Sequence, residues 1–312
     1  MLSRIADSLF WLNRYMERGD GLIRGAKTHY ILYLDRGINQ NLSWQPMLEC
    51  FTNAPNDEVS ALKYDTQQTL SKLLLDISNS NSLKNIVAKA RENARGVQDH
   101  ITKEVWEHVN QLYHSVNNLS NLQNTGFDAI ATIESLEQGC ILYNGVSDTT
   151  MPRGLGWSFM NLGRYIERCI LTIEMTNKYF AANEYDLNNE KDILFWRPLL
   201  LSLSGYELHL KSYRSKKHNH NTLHQVLFNE NFTRSVIYTL KRIDKYYTDA
   251  IKDNTVSETE VLSKQLGRLV SKIEYADFEA LDQKSLQEFL LSTRKELIAF
   301  SNELAQQFFS YS

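Results

Sequence analysis

RYMER at residues 14–18 is the stretch that decides the fold, because it returns later in the chain as RYIER at residues 164–168. A Trp-x-Pro element follows each copy, at Trp44 and at Trp196. Two landmarks that recur in the same order at nearly the same spacing indicate an internal duplication. The sequence therefore predicts two similar halves, and each half opens with a helix that carries Arg-Tyr-x-Glu-Arg.

Composition and periodicity both predict an all-α fold. The 312 residues include only 13 Gly and 4 Pro, and so few breakers in so long a chain predict long helices. Apolar residues from Ile5 to Leu34 recur at intervals of three and four, which is the period of a helix with one buried face. Phe10 and Trp11 add apolar side chains to a second face. We therefore expect the first helix, at about 2–35, to be central in a helical bundle.

The predicted organisation is one compact unit made of two tandem halves packed about a pseudo-twofold axis. The first half is expected at residues 1–138 and the second at residues 157–312. Glycines and a proline cluster between them, so residues 139–156 have the character of a linker. Duplicated units usually bury equivalent surfaces against each other. We expect the first helix and the helix at 157–180 to lie side by side at the centre.

Three further segments are predicted from local pattern. One unbroken helix is expected at 57–77, and another is expected to run from Trp196 beyond Tyr206. A stretch with three histidines follows two lysines and is interpreted as a solvated loop; its histidines are His218, His220 and His224.

Several classes of protein are not expected from the composition. The net charge of −3 lacks the basic footprint of a nucleic-acid-binding protein. No apolar run of about 18 residues occurs, so no membrane partner is expected. The cysteines, Cys50, Cys140 and Cys169, are widely spaced and odd in number, which supports neither a disulfide framework nor a zinc knuckle. Charged residues interrupt the first helix, unlike a secretory signal, so we expect a cytoplasmic protein.

The repeated charges form the main candidate site. If the two copies meet, their arginines could hold a carboxylate or phosphate in bidentate fashion, and their glutamates could act as base or cation ligand. The alternative, which we favour, is a buried ion-pair network that fixes the register of the two helices. The members of this candidate centre are Arg14, Glu17, Arg18, Arg164, Glu167 and Arg168.

Secondary candidates lie outside the two motifs. Arg91 and Arg95 share a helix face, and Glu92 lies three residues before Arg95. They could form a second wall of the same site, although a solvated or interhelical salt-bridge face explains them equally well. Trp11 and Trp157 complete the secondary candidates, and their position at helical spacing is typical of core residues.

No cofactor or metal is expected. Helical di-iron sites use Glu-x-x-His pairs, and the closest approach in this chain is Glu104 with His108 at the wrong spacing. Phosphate-binding loops, nucleophile elbows and zinc-protease signatures do not occur either.

The chain resembles the bacterial alpha-E family. The resemblance rests on the two RY-x-ER copies, on RENAR at residues 91–95 and on Gly156-Trp157 before the second copy, and it spans nearly the whole chain. It implies an all-helical fold. It also implies partners, because such proteins are typically encoded beside a circularly permuted ATP-grasp protein and a transglutaminase-like protease. A shared role in making or modifying a peptide follows, with no reaction that can be transferred to particular residues.

The sequence departs from the family pattern in each copy. Asn13 stands where Gly commonly precedes Arg-Tyr, whereas Gly163 keeps the usual residue in the second copy. Cys169 and Ile170 follow the second Glu-Arg, where the first copy has Gly-Asp at residues 19–20. We expect the second copy to have lost part of the site that the first forms.

Two functions from different classes remain open. In the first, the protein is a non-catalytic helical component that binds or presents an acidic peptide or phosphate-bearing substrate to an ATP-grasp amidoligase. In the second, it is an enzyme that acts on an amide or acyl bond and uses the repeated Arg/Glu centre as its site. The lack of a recognisable nucleophile-base pair in the sequence favours the first.

Overall fold

The computed structural model describes residues 2–35, 42–119, 129–252 and 258–309, and within them the chain is all-α, as predicted. These residues form fourteen α-helices and two single-turn 3-10 helices, with no strand. The α-helices are α1 (Ser3–Leu34), α2 (Gln45–Phe51), α3 (Asn56–Leu62), α4 (Thr66–Leu74), α5 (Leu83–Gly96), α6 (Lys103–Asn117), α7 (Ala129–Thr150), α8 (Leu155–Ala181), α9 (Ile193–Ser202), α10 (Tyr206–Ser212), α11 (His218–Phe228), α12 (Val236–Ile251), α13 (Glu258–Glu274) and α14 (Gln283–Phe309).

The helices run in two series of seven with the same order of long and short members, α1–α7 and α8–α14. The fifth helix of each series is capped in the same way. The Ser82 hydroxyl accepts a hydrogen bond from the backbone N–H of Asn85 at 3.4 Å, and the Ser235 hydroxyl accepts one from Tyr238 at 3.1 Å. Serine is a favoured N-cap because its oxygen satisfies an otherwise orphan donor. The axis that would relate the two series stays a prediction.

The repeated tryptophans perform the same task in each series. Both are almost completely buried, and each indole N–H donates to a side chain at the start of the fourth helix. Trp44 donates to Thr66 Oγ1 at 3.0 Å, and Trp196 donates to Asn219 Oδ1 at 2.9 Å. Buried indole groups usually find such a partner. The Trp-x-Pro landmark therefore ties the second helix of each series to the fourth.

The chain divides into two compact units, which we call the N-terminal unit (residues 11–152) and the C-terminal unit (residues 1–10 and 153–312). Within the N-terminal unit, α6 packs against both α5 and α7. Helix α1 approaches α2 closely at Gly25, where an added Cβ would lie 2.4 Å from Met47 Cε. Glycine is needed there because no larger residue allows this approach without movement of the methionine.

Within the C-terminal unit, α8 packs against α12 and α14. The contact with α14 is aromatic, since the Phe159 ring lies 5.7 Å from Phe309, and Phe309 in turn lies 5.2 Å from Phe10. Nineteen residues of α8 are buried, which makes it a core helix. Among the described helices, none combines enough length with enough apolar character to span a bilayer.

The predicted linker at 139–156 is mostly helix, because α7 continues through Thr150 and only residues 151–154 separate it from α8. A Cβ at Gly139 would lie 3.1 Å from Leu112 Cδ1, so α6 and α7 are closely packed at that glycine. Each glycine makes the helix less stable by about 1 kcal/mol relative to alanine, and the packing of α7 against α6 outweighs that cost. Three residues of the buried face recur at helical spacing: Cys140, Tyr143 and Ser147.

Two predicted helices are interrupted. The helix predicted at 57–77 breaks between α3 and α4, where Asp65 caps α4 by accepting a hydrogen bond from the backbone N–H of Gln68 at 2.9 Å. The helix predicted from Trp196 breaks after α9, where Ser204 has a φ of 56°. A left-handed residue commonly ends a helix.

The predicted solvated loop at His218, His220 and His224 is helix α11 instead. Asn219 is fully buried there, because its Oδ1 accepts from the Trp196 indole and its Nδ2 donates to three backbone carbonyl groups of the loop after α8. The polar sequence predicted a solvated loop because it did not show that Asn219 is buried and that its side-chain amide is hydrogen-bonded there.

Candidate functional site

The first RY-x-ER copy buries its carboxylate on α1. Glu17 and Asp20 on α1 are 2% and 1% exposed. Burial raises the pKa of the Cys140 thiol on α7; Asp20 and Glu17 raise it further, while Arg24 lowers it. Arg24 forms an ion pair with Asp20. The first copy therefore combines buried acids with an arginine that balances at least one of them.

Polar contacts between α1 and α7 continue on both sides of these acids. The Tyr143 phenol donates to Oδ1 of the buried Asn13 at 2.5 Å. Lys27 pairs with Glu137 at 2.8 Å and with Glu134 at 3.3 Å, and the hydrogen bond to Glu137 is the largest cause of its raised pKa. Asn13 thus replaces the usual glycine of the family pattern with a side chain that has a partner on α7.

The arginines of the first copy make other contacts. The Arg14 guanidinium lies 4.7 Å from the centre of the Trp11 ring, a cation–π distance. Arg18 donates to Asn81 Oδ1 at 2.7 Å, which joins α1 to the turn before α5. From α5, Lys89 lies 5.7 Å from the centre of the Tyr15 ring. Arg14 and Arg18 therefore take part in packing contacts in the N-terminal unit.

The second copy buries both its carboxylate and its first arginine. Glu167 is 1% exposed and Arg164 is 8% exposed. Within the described part of the chain, the buried Nη2 atom of Arg164 has no hydrogen-bond partner. A buried charged donor left unsatisfied is costly, so this atom is the feature of the second copy that most needs an explanation.

Arg164 belongs to a group that we call the arginine–tyrosine cluster, which joins α8 and the segment before it to α12. The Tyr165 and Tyr246 rings stack at 5.8 Å with an angle of 16° between their planes. Burial raises the pKa of Tyr246, and three nearby guanidinium groups oppose that rise. The members of the cluster are Arg153, Arg164, Tyr165, Arg242 and Tyr246.

Arg242 is held in place by aromatic neighbours. Its guanidinium lies 5.0 Å from the centre of the Tyr238 ring, and its pKa is raised, most by a hydrogen bond with Tyr238. Lys245 lies 5.3 Å from the centre of the Tyr246 ring and adds a further cation. The cluster therefore concentrates positive charge around the Tyr246 phenol.

A cleft of about 340 Å³ opens between the start of α8 and the end of α12. Two of its lining residues contact each other, since the Arg153 guanidinium lies 3.9 Å from the centre of the Trp157 ring. Gly154 is the N-cap of α8 and has no side chain to satisfy the first backbone N–H groups, which favour anions. The residues that line the cleft are Arg153, Gly154, Leu155, Trp157, Ser158, Asp249 and Ala250.

The exchange of Gly-Asp for Cys-Ile changes the charge of the second copy. Ile170 is buried at the position where the first copy has Asp20, so a buried acid is missing there. Cys169 is fully buried, and burial raises the pKa of its thiol to about 12. The expectation that the second copy has lost part of the site that the first forms stays a prediction.

The secondary candidates do not form a second charged wall together. Arg91 donates from Nε to Asn110 Oδ1 at 2.5 Å, and its guanidinium lies 4.6 Å from the centre of the Tyr113 ring. Glu92 and Arg95 are exposed. These contacts support the interhelical interpretation for Arg91, because they join α5 to α6.

Sequence reasoning missed Arg153, Arg242 and Tyr246. A signal was present for Arg242, since it follows the α12 cap at the same interval as Lys89 follows the α5 cap. Tyr246 had none, because no aromatic residue occupies the equivalent position of α5. As for metals, no group of three or more His, Cys, Asp or Glu side chains among the described residues could hold an ion.

Comparison with known proteins gives one family and several distant relatives. The model of a family described as a predicted alpha-helical domain with a conserved ER motif matches residues 1–309. An uncharacterised protein of Mycobacterium bovis is 24% identical over 183 residues, which are 53% of this chain and 21% of the relative. An uncharacterised protein of Mycobacterium tuberculosis is 23% identical over 183 residues, which are again 53% of this chain and 21% of the relative. The chain thus spans about a fifth of the length of these relatives. No solved structure matches the chain.

Proposed function

The chain belongs to the Alpha-E family, and on that premise we propose that it is a non-catalytic binding protein that holds an anionic group of a peptide substrate. The group is a carboxylate or a phosphate, and the arginine–tyrosine cluster is its site. In the C-terminal unit, the positive charges of three arginines act on the Tyr246 phenol and oppose the rise in its pKa that burial causes. Arginine is suited to both anions because its planar fork can donate two parallel hydrogen bonds.

The observation that carries the proposal is the Nη2 atom of Arg164, which is buried and has no partner in the described residues. An anionic oxygen would supply the missing acceptor. Hydrogen bonds to charged groups contribute about 1.5–3 kcal/mol each. An anion in the cluster would thus regain stability that the free protein lacks.

The charge around Arg164 supports an anion rather than a cation. Arg153, Arg242 and Lys245 add positive charge, and the uncapped start of α8 adds the positive end of a helix dipole. Asp249 is the one carboxylate among the residues that line the adjacent cleft. The cleft lining itself holds one cation and one carboxylate, so the positive charge that favours an anion comes from the arginines that act on Tyr246 and from Lys245.

The partners in this proposal are those that the sequence resemblance implies, a circularly permuted ATP-grasp amidoligase and a transglutaminase-like protein. An amidoligase joins an amine to a carboxylate, so an acidic peptide is a ligand that the partner and the cluster would share. The protein would bind or present that peptide to the amidoligase. The proposal includes a cytoplasmic location, which agrees with three free cysteines, and it includes no nucleic acid.

Titration calorimetry tests the proposal with two probes, a short peptide of glutamates and inorganic phosphate. Arg164→Gln should weaken binding by roughly tenfold or more, which corresponds to the loss of one charged hydrogen bond. Arg91→Gln is the matched control, because it removes the same positive charge from the contact between α5 and α6, which is not part of the cluster. Equal weakening in both variants, or no binding of either probe to the wild type, would contradict the proposal. The stronger of the two probes identifies the anion.

The alternative function, an enzyme that acts on an amide or acyl bond, receives less support from the same contacts. Burial raises the pKa of both Cys140 and Cys169, so these thiols stay protonated and weakly nucleophilic at neutral pH. Glu17 and Glu167 are the remaining candidates for acid–base chemistry, and each is at most 2% exposed. A substrate would need a movement of the helices to reach either carboxylate, as an anion would to reach the buried Nη2 atom of Arg164.

A further inference from the structure

His209 on α10 is a buried histidine with a fixed orientation. It is 1% exposed, and its Nδ1 atom lies 2.8 Å from Gln225 Oε1. The amide nitrogen of Gln225 donates to the carbonyl of Gly205 at 2.7 Å, so the amide oxygen must face the ring. Nδ1 therefore carries the proton, and the Nε2 atom of His209 is left as a lone-pair acceptor.

The hydrogen-bonded chain from Gly205 through Gln225 to His209 is closely packed. An added Cβ at Gly205 would lie 2.6 Å from Gln225 Nε2 and 2.8 Å from Phe232 Cζ. The Tyr213 ring stacks on His209 at 5.1 Å. The imidazole is thus held from two sides, and its lone pair has a defined direction.

A second imidazole lies near the first. The His218 ring at the start of α11 is centred 6.4 Å from the His209 ring. In the part of the chain that the structure describes, His209 Nε2 and His218 Nδ1 are both buried without a hydrogen-bond partner, and so is the hydroxyl of Thr222, one helical turn after His218. Buried polar groups are rarely left unsatisfied, and three of them here lie on neighbouring helices.

We propose that His209 and His218 bind a divalent transition-metal ion between α10 and α11, with water molecules completing its coordination. Zinc-bound histidine almost always donates its other ring N–H to an acceptor that fixes the ring, as His209 does towards Gln225. Neutral imidazole suits Zn, Cu, Fe and Ni. The proposal is independent of the arginine–tyrosine cluster, because no residue is shared between them.

The ring separation is compatible with one bridging ion. A zinc–nitrogen distance of 2.0–2.1 Å places each ring centre about 3.2 Å from the metal, so the ring centres lie about 5.3 Å apart at a tetrahedral angle. A shift of about 1 Å by one ring would close the observed separation. His218 can make that shift, because it is the half-buried first residue of α11 and its N-cap has no side-chain hydrogen bond.

The protonation state of His209 favours metal binding at neutral pH. Burial lowers the pKa of His209, the hydrogen bond with Gln225 opposes this, and His218 lowers the pKa further. The lone pair is therefore available at pH 7. Protons compete for histidine ligands, so metal binding should weaken on acidification.

The test uses Zn²⁺ and the full chain without a polyhistidine tag. Calorimetric titration should show one site in the wild type, and His218→Ala should weaken it at least tenfold. His209→Gln should do the same. His218→Ala is the safer variant, because His218 is less buried and its loss leaves the core intact. The thermal midpoint of the wild type should also rise by about 2 °C or more in excess Zn²⁺.

The matched control is His220→Ala, because His220 lies two residues away and pairs with Glu190 at 3.4 Å on the surface. This variant should bind Zn²⁺ as the wild type does. An absence of Zn²⁺ binding in the wild type would overturn the proposal and leave a buried water as the occupant. Binding that survives in His218→Ala, or that is lost equally in His220→Ala, would overturn it in favour of adventitious surface binding.

Discussion

Asp20→Asn should destabilise the N-terminal unit, because it removes the charge partner of Arg24. The Asp20 side chain is 1% exposed and that of Arg24 is 13% exposed, so the pair is largely out of water. Removal of one partner of a buried pair costs about 3–5 kcal/mol. We expect the free energy of unfolding to fall by about 3 kcal/mol, the lower end of that range, because Arg24 keeps some contact with water.

The assay is chemical denaturation followed by circular dichroism, with two companion variants. Glu107→Gln breaks an exposed i, i+4 pair with Lys103 in the same unit, and it should change stability by less than about 1 kcal/mol. Asp20→Leu combined with Arg24→Met replaces both charges with apolar side chains and should be more stable than Asp20→Asn, because an apolar pair of similar volume is often tolerated in place of a buried ion pair. Wild-type stability of Asp20→Asn, or no recovery in the double variant, would refute this reasoning.

Three further predictions concern stability. Trp196→Phe removes the indole hydrogen bond to Asn219 Oδ1, which keeps the hydrogen bond from the backbone N–H of Lys191, so urea denaturation should show a loss of about 0.5–1.5 kcal/mol; an unchanged midpoint would contradict it. Gly205→Ala should cost about 1–3 kcal/mol, because the new methyl group overpacks against Gln225 and Phe232; a stabilised variant would refute the close contact. Burial lowers the pKa of His29 to about 4, so the unfolded chain binds a proton from about pH 6.5 downwards while the folded chain does not, and stability should fall between pH 6.5 and pH 4. His29→Gln should flatten that pH dependence, and an equal slope in the variant would assign it to other groups.

Apolar periodicity predicted the long helices better than the positions of glycine did. Helix α1 was expected at about 2–35 and runs from Ser3 to Leu34, because its apolar spacing is unbroken. Helix α7 was cut short in the prediction because glycine at 139 and 145 reads as a breaker. Its packing against α6 at Leu112 is a tertiary contact that no local pattern contains. The pseudo-twofold axis between the halves stays a prediction.

The site was predictable in part. The repeated motif identified Glu17 and Glu167 as candidates, and both side chains are buried. The cluster around Arg164 was not predictable, because Arg242 and Tyr246 come from α12 and meet Arg164 only through the packing of α8 against α12. Helical periodicity shows that a face is buried, but it does not show which distant side chains face it.

The most direct test of the anion-binding account is the NMR signal of the Arg164 guanidinium during titration with phosphate or an acidic peptide. The signal is assigned by its absence in Arg164→Lys. The account predicts that it moves with the anion and saturates at the affinity that calorimetry gives, because the anion supplies the acceptor that Nη2 lacks in the described structure. An Arg164 signal that stays in place while those of exposed arginines such as Arg95 move would contradict the account.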